Sequence, residues 1–229
     1  MIRSNLHNRR LIIVGGNSVI VQDIISNSCL ESMYSEVILI CHRGYRGKRA
    51  FYTLVENIQP FSIATVVNDF LLQQKEKESV DLIVASTPTH KHAYKDNVAL
   101  EWGFAAVRLL NLVVSSEYVR RAIVLGSTLA LVPFVRSGTY KSIKKIEFYT
   151  YQNLKCYKSS KIGYILLPPI GENIEGIGRF FSQPRRDWVQ KILLELDTSN
   201  RLILPTGLVG FISRILLFLG IYKHELFVS

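Results

Sequence analysis

The chain is poor in cysteine. Only Cys29, Cys41 and Cys156 occur in 229 residues. The number is odd and there is no Cys-x-x-Cys, which argues against a disulfide framework or a cysteine-based zinc site and fits a reducing, cytoplasmic compartment. Acidic residues are also short: 18 Asp and Glu stand against 28 Lys and Arg, a net charge of +10. An anionic partner is therefore expected, whether phosphorylated ligand, nucleic acid or membrane surface. Nucleic acid finds no further support, because there is no helix-turn-helix, aromatic RNA platform or zinc pattern. The first apolar run, Leu11–Val14, is too short for the hydrophobic region of a signal peptide and leads straight into glycines. No internal repeat is visible. Apolar residues, by contrast, make up 48% of the chain, which excludes disorder and allows one large core.

These apolar residues are arranged in alternating patterns. Leu11–Val14, Glu36–Cys41, Phe61–Ala64, Val80–Ala85, Arg121–Leu125 and Gly163–Leu167 read as strands, with RLILP near the C-terminus as a seventh. Between them, Ser18–Ser28, Phe51–Ile58, Val66–Lys77, Asn97–Val114, Tyr140–Leu154 and Asp187–Leu196 read as helices. Strands that are apolar throughout are covered on both faces. The alternation predicts an α/β fold: a Rossmann-like, doubly wound parallel sheet with helices on both sides, over residues 1–205. Residues 206–229 form an apolar, basic tail. A ligand crevice is expected outside the carboxyl ends of the strands.

The candidate residues fall just after predicted strands. The first strand runs into V-G-G-N-S-V-I-V, where Gly15 and Gly16 suit a tight turn onto a helix N-terminus and Asn17 and Ser18 offer side-chain donors to a phosphate. After the second strand come His42, Arg43 and Arg46, with no acid. An acid there would hold the ribose hydroxyls of NAD, whereas Arg43 suits the 2′-phosphate of NADP(H), so NADPH is expected over NAD. Asp69 is a candidate acceptor for an adenine amino group. Ala85 and Ser86, after the fourth strand, are small enough for a ribose to lie close to the backbone.

Tyr-x-x-x-Lys occurs three times: Tyr140/Lys144, Tyr151/Lys155 and Tyr157/Lys161. Only Tyr140 also has a serine thirteen residues earlier, Ser127, at a predicted strand end, and a helix long enough to carry both partners before the next strand. Residues at i and i+4 share a helix face, so the Lys144 ammonium is expected beside the Tyr140 phenol. It would lower a pKa that is ordinarily ~10. Tyr140 then exchanges a proton with a carbonyl or alcohol oxygen that Ser127 holds.

With Ser127, Tyr140, Lys144 and the glycine turn in place, residues 10–170 resemble the short-chain dehydrogenase/reductase family. The resemblance implies Ser127, Tyr140 and Lys144 as the catalytic trio, with Lys144 also on the cofactor ribose. It implies Gly15 as the first glycine of the nucleotide turn, and Pro168 and Ile170 at the nicotinamide end. It also implies homo-oligomers. The chain departs from the family pattern at Val19 and Val21, where later glycines are usual, and it lacks the Asn-Asn-Ala-Gly motif. Those departures leave a second expectation open: a degenerate member that binds cofactor weakly or not at all and serves as a binding or scaffold subunit.

The stretch Thr206–Tyr222 is the most apolar in the chain. It has ~17 residues and Arg214 in its middle, short of the ~20 apolar residues that a spanning helix needs. It is expected to pack on the core, or across a dimer, or to lie peripherally at the inner membrane face. An apolar, basic tail of this layout is similar to that of the keto-reductases of decaprenylphosphoryl-ribose 2′-epimerases and related polysaccharide-pathway reductases. That similarity implies a lipid-linked or nucleotide-linked carbonyl substrate.

Overall fold

The computed structural model describes residues 9–47, 51–73, 78–85, 96–131, 138–156, 161–168, 183, 185–198 and 202–220. Within these, the backbone alone is described at 96–100, 129, 138–140, 155–156, 185 and 197–198. Seven strands form one sheet: β1 Arg9–Val14, β2 Glu36–Ile40, β3 Thr53–Val55, β4 Ser79–Val84, β5 Val119–Ser127, β6 Ile162–Leu167 and β7 Leu202–Ile203. Their order is β3-β2-β1-β4-β5-β6-β7, and every pair is parallel. The helices are α1 Val19–Asn27, α2 Leu30–Met33, α3 Ile63–Leu72, α4 Asp96–Ser115, α5 Gly138–Cys156, α6 Arg185–Thr198 and α7 Gly207–Leu219. The doubly wound Rossmann-like sheet expected from the sequence is the fold observed.

Side chains alternate across the sheet, so each strand supplies two cores. Ile12, Val14, Leu82 and Val84 face α3, α4 and α5 on one side, in the cluster that holds Val67, Leu109 and Phe148. Leu11, Ile13, Leu39 and Ile83 face α1, α2 and α6 on the other, with Ile24, Leu30 and Trp188. Each such fully buried aliphatic side chain stabilises the fold by about 1.5–3 kcal/mol, which is why both faces must be apolar. Charged side chains also sit inside, among them Asp81, Lys144 and Glu147. Asp81 on β4 is fully buried and accepts from Arg120 Nε at 2.8 Å, Arg120 Nη2 at 2.5 Å and the Tyr34 hydroxyl at 3.1 Å. Arg120 also donates to the Leu196 carbonyl at 2.9 Å, tying the end of α6 to the sheet.

The third strand is not where the sequence pattern put it. Phe61–Ala64 is not a strand: Pro60–Ser62 is a 3-10 turn with Pro60 at its first position, and α3 begins at Ile63. Phe51–Ile58, expected to be helical, contains β3. Three residues are too few for a periodicity, and this edge strand is only half covered, so its extended form comes from pairing with Ile38–Ile40 of β2. The four-residue α2 likewise has no sequence signal of its own. Among the described residues no helix is long and apolar enough to cross a membrane.

Candidate functional site

Parallel order brings the carboxyl ends of all strands to one edge, and the chain reverses direction of winding between β1 and β4. The candidate residues fall along this edge in spatial sequence: Arg43 beyond β2, Gly15–Ser18 beyond β1, Ala85 beyond β4, Ser127 at the end of β5 and Pro168 beyond β6. Neighbouring strands lie about 4.8 Å apart, so Ser127 stands two spacings, roughly 10 Å, from the glycine turn.

The turn is built by two different requirements. Gly15 has φ +94°, a left-handed conformation that a side chain resists. Its N–H donates to the Ile40 carbonyl at 2.8 Å, which locks the turn to β2. Gly16 is needed for space: a Cβ there would stand 2.7 Å from Cys41 Sγ. Ser18 caps α1 without its hydroxyl bonding to the helix, and the first-turn amides of a helix have no partner within it. Together they present donors to an anion at the crevice. Val21 is fully buried under the sheet, and Val19 is 57% exposed at the mouth of the turn. Asn17 has another task. Its amide donates to the Gly44 carbonyl at 3.0 Å and its oxygen accepts from the Arg46 N–H at 3.0 Å, so it fastens the loop after β2 across the turn.

That loop holds Arg43 exposed, with no side-chain partner among the described residues. His42 points elsewhere: Nδ1 lies 2.8 Å from the Ile58 carbonyl and the ring meets Trp102 edge-on at 5.2 Å. Tyr45 is buried against the Gly16 backbone. Its N–H is held by the carboxylate of Glu56, which follows β3 directly. Cys41 lies beneath; burial first, then the Glu56 charge, pushes its thiol up to about 11.

Sequence reasoning missed Glu56. It is the acid at the carboxyl end of β3, next to the loop after β2, and it became visible only once β3 was placed. Asp69 is exposed on α3, three residues from that helix's C-terminus. A helix returning between parallel strands ends at their amino edge, so Asp69 lies away from the crevice. Ser86 and Ile170 lie outside the described residues.

Ser127 is 8% exposed at the end of β5. Tyr140 is in the first turn of α5, which begins at this same edge; its side chain is not among those described. Lys144 is one turn deeper and buried. Its ammonium donates to the Leu125 carbonyl at 2.9 Å and to Glu147 Oε1 at 3.0 Å and Oε2 at 3.3 Å. The Tyr164 hydroxyl donates to the same Glu147 oxygen at 2.9 Å. The lysine expected on a cofactor ribose thus turns to the β5 backbone at Leu125, with its charge balanced by a carboxylate.

No family model matches the chain, and no curated protein matches it in sequence. Solved structures do. A short chain dehydrogenase from Burkholderia cenocepacia J2315 in complex with NADP superposes with a TM-score of 0.67, covering 98% of this chain and 99% of that one at 13% identity. UDP-glucose 4-epimerase with UDP-glucose from Thermotoga maritima gives 0.64, over 93% of this chain and 83% of its own, at 12% identity. An apo SCOR enzyme from Clostridium thermocellum gives 0.64, over 86% and 90%, at 16% identity. The chain has the doubly wound α/β fold of this short chain dehydrogenase, this epimerase and this SCOR enzyme.

Proposed function

We propose that the protein is an NADP(H)-dependent oxidoreductase that reduces a carbonyl, or oxidises a secondary alcohol, on a nucleotide-linked or lipid-linked sugar. One observation carries this reading: the strand order sets Arg43, Gly15–Ser18, Ala85 and Ser127 in a line along the carboxyl edge. A dinucleotide laid on that line would have its 2′-phosphate end at Arg43 and its pyrophosphate on the α1 amides and Ser18. Ala85, small, would leave room at the ribose between them. When bound, NADPH supplies hydride. The protein's part is to hold and protonate: Ser127 positions the substrate oxygen, and the Tyr140 hydroxyl gives it a proton. The net charge of +10 suits a phosphorylated substrate, and one structure of this fold holds UDP-glucose.

A second reading has its own support. The Lys144 ammonium is paired with Glu147, which weakens its pull on a phenol. A chain of this fold could then bind without transferring hydride, as a binding or scaffold subunit. Titration with NADPH and NADH, followed by nucleotide fluorescence, separates the two. Saturable NADPH binding, with turnover of a keto-sugar nucleotide that Tyr140→Phe abolishes, is the expected result. Full activity in Tyr140→Phe would remove the catalytic assignment, and no binding at millimolar dinucleotide would establish the second reading.

A further inference from the structure

Helix α7 carries its largest apolar residues on the outside. Gly210 and Ser213 are buried, and Leu216 and Leu217 touch the core. Leu208, Phe211, Ile212, Ile215, Phe218 and Leu219 are exposed, Phe218 at 90% and Leu208 at 60%. At 100° per residue these six fall within an arc of about 120°, a continuous stripe. The helix meets the core through this narrow face of Gly210, Ser213, Leu216 and Leu217. Gly210 also lets the chain entering the helix close on it, because a Cβ there would stand 1.8 Å from the Pro205 carbonyl oxygen.

α7 contains no Asp or Glu, and its one charged residue, Arg214, is exposed at the rim of the stripe, so the helix itself is cationic. Gln183 Nε2 donates to the Thr206 carbonyl at 3.0 Å, which places the approach to α6, with exposed Arg186 and Asp187, near the start of α7. We propose that α7 seats the protein on a bilayer surface containing anionic lipid, with the stripe in the acyl boundary and Arg214 on headgroup phosphate. A second copy of the chain fits less well. A two-fold pairing of the stripe centres near residues 213 and 214 and brings two Arg214 guanidiniums together, a like-charge contact. The bilayer gives the same arginine an opposite charge. This seating does not depend on the cofactor reading.

The experiment is co-sedimentation of the full chain with vesicles of phosphatidylcholine alone and of phosphatidylcholine with about one third phosphatidylglycerol. The expected result is binding to the anionic vesicles that weakens with salt and falls more than about tenfold in Phe211→Ser/Phe218→Ser. Phe218→Trp, which keeps the stripe apolar, should show a blue-shifted emission when anionic vesicles are added, and so serves even if the serine variant does not fold. No wild-type binding, undiminished binding in the folded serine variant, or no shift in Phe218→Trp would overturn the proposal. So would sedimentation equilibrium showing a vesicle-free dimer that the serine variant dissociates, which would assign the stripe to a second copy.

Discussion

The Lys144 ammonium stands 3.0 Å from Glu147 Oε1, and both side chains are almost wholly buried, at 3% and 1% exposure. They lie one helical turn apart on α5 and share the space above β5 and β6 with the Tyr164 hydroxyl. Two charges here are tolerated because each has the other and a neutral hydrogen-bond partner besides.

Removing one of the pair should therefore cost more than removing both. Glu147→Leu or Lys144→Met alone is expected to destabilise the protein by about 3 kcal/mol, since each leaves an unpaired buried charge. The double variant should recover most of that loss. Urea denaturation of the four proteins, read as a double-mutant cycle, checks this.

The same pair bears on catalysis. If Lys144 acts only through packing, Lys144→Met/Glu147→Leu should retain NADPH binding and lose little of kcat. Ser127→Ala should lower kcat about a hundredfold with KM nearly unchanged, as for a donor that acts on the reacting oxygen. Steady-state kinetics on the two variants tells the contributions apart.

Arg43 is predicted to set cofactor choice. Arg43→Ala should weaken NADPH about tenfold or more, through loss of a charge-assisted contact, and leave NADH almost unaffected. Parallel fluorescence titrations with the two nucleotides make the comparison.

Gly16 is predicted to be required for its size, because its missing Cβ would meet the Cys41 sulfur. Gly16→Ala should cost about 1–3 kcal/mol, as overpacking does. Adding Cys41→Ala removes the obstructing sulfur and should restore part of the stability, although Cys41→Ala alone is mildly destabilising. Thermal melts of the three variants test the coupling.

Cys41 also gives a pH dependence. Its thiol is raised from an ordinary 9.0 to about 11. An unfolded chain loses that proton first, so stability contributed by this group is intact below pH 9 and falls as pH rises toward 11. Tyr151, pushed up to about 12 by burial, adds a further loss above pH 10. Cys41→Ala should flatten the first part of the decline in denaturation midpoint and leave the second. At pH 8 the native thiol should resist a disulfide reagent that modifies exposed Cys29.

The strands that make up the sheet centre were legible because they are buried on both faces and so apolar at every position. The long helices α4 and α5 were legible because their period persists over several turns. β3 was not, being three residues long at a half-covered edge, and without it Glu56 could not be placed beside the loop after β2. In the candidate site, the end positions of Gly15, Arg43, Ala85 and Ser127 followed from strand boundaries alone. The direction of the Lys144 side chain did not, because i,i+4 spacing fixes which face a residue shares and not which atoms of the neighbouring sheet it meets.

The sequence by itself determined the α/β class, the apolar strands buried on both faces and the edge at which the candidate residues gather, since all of these follow from hydrophobic period and strand–helix alternation. Tertiary structure decided the rest. It paired Lys144 with Glu147, gave Asn17 to the loop after β2, turned Val21 inward, and set the phenylalanines of α7 outward. Each of these depends on a contact between residues brought together by folding, and a local pattern carries no record of the partner.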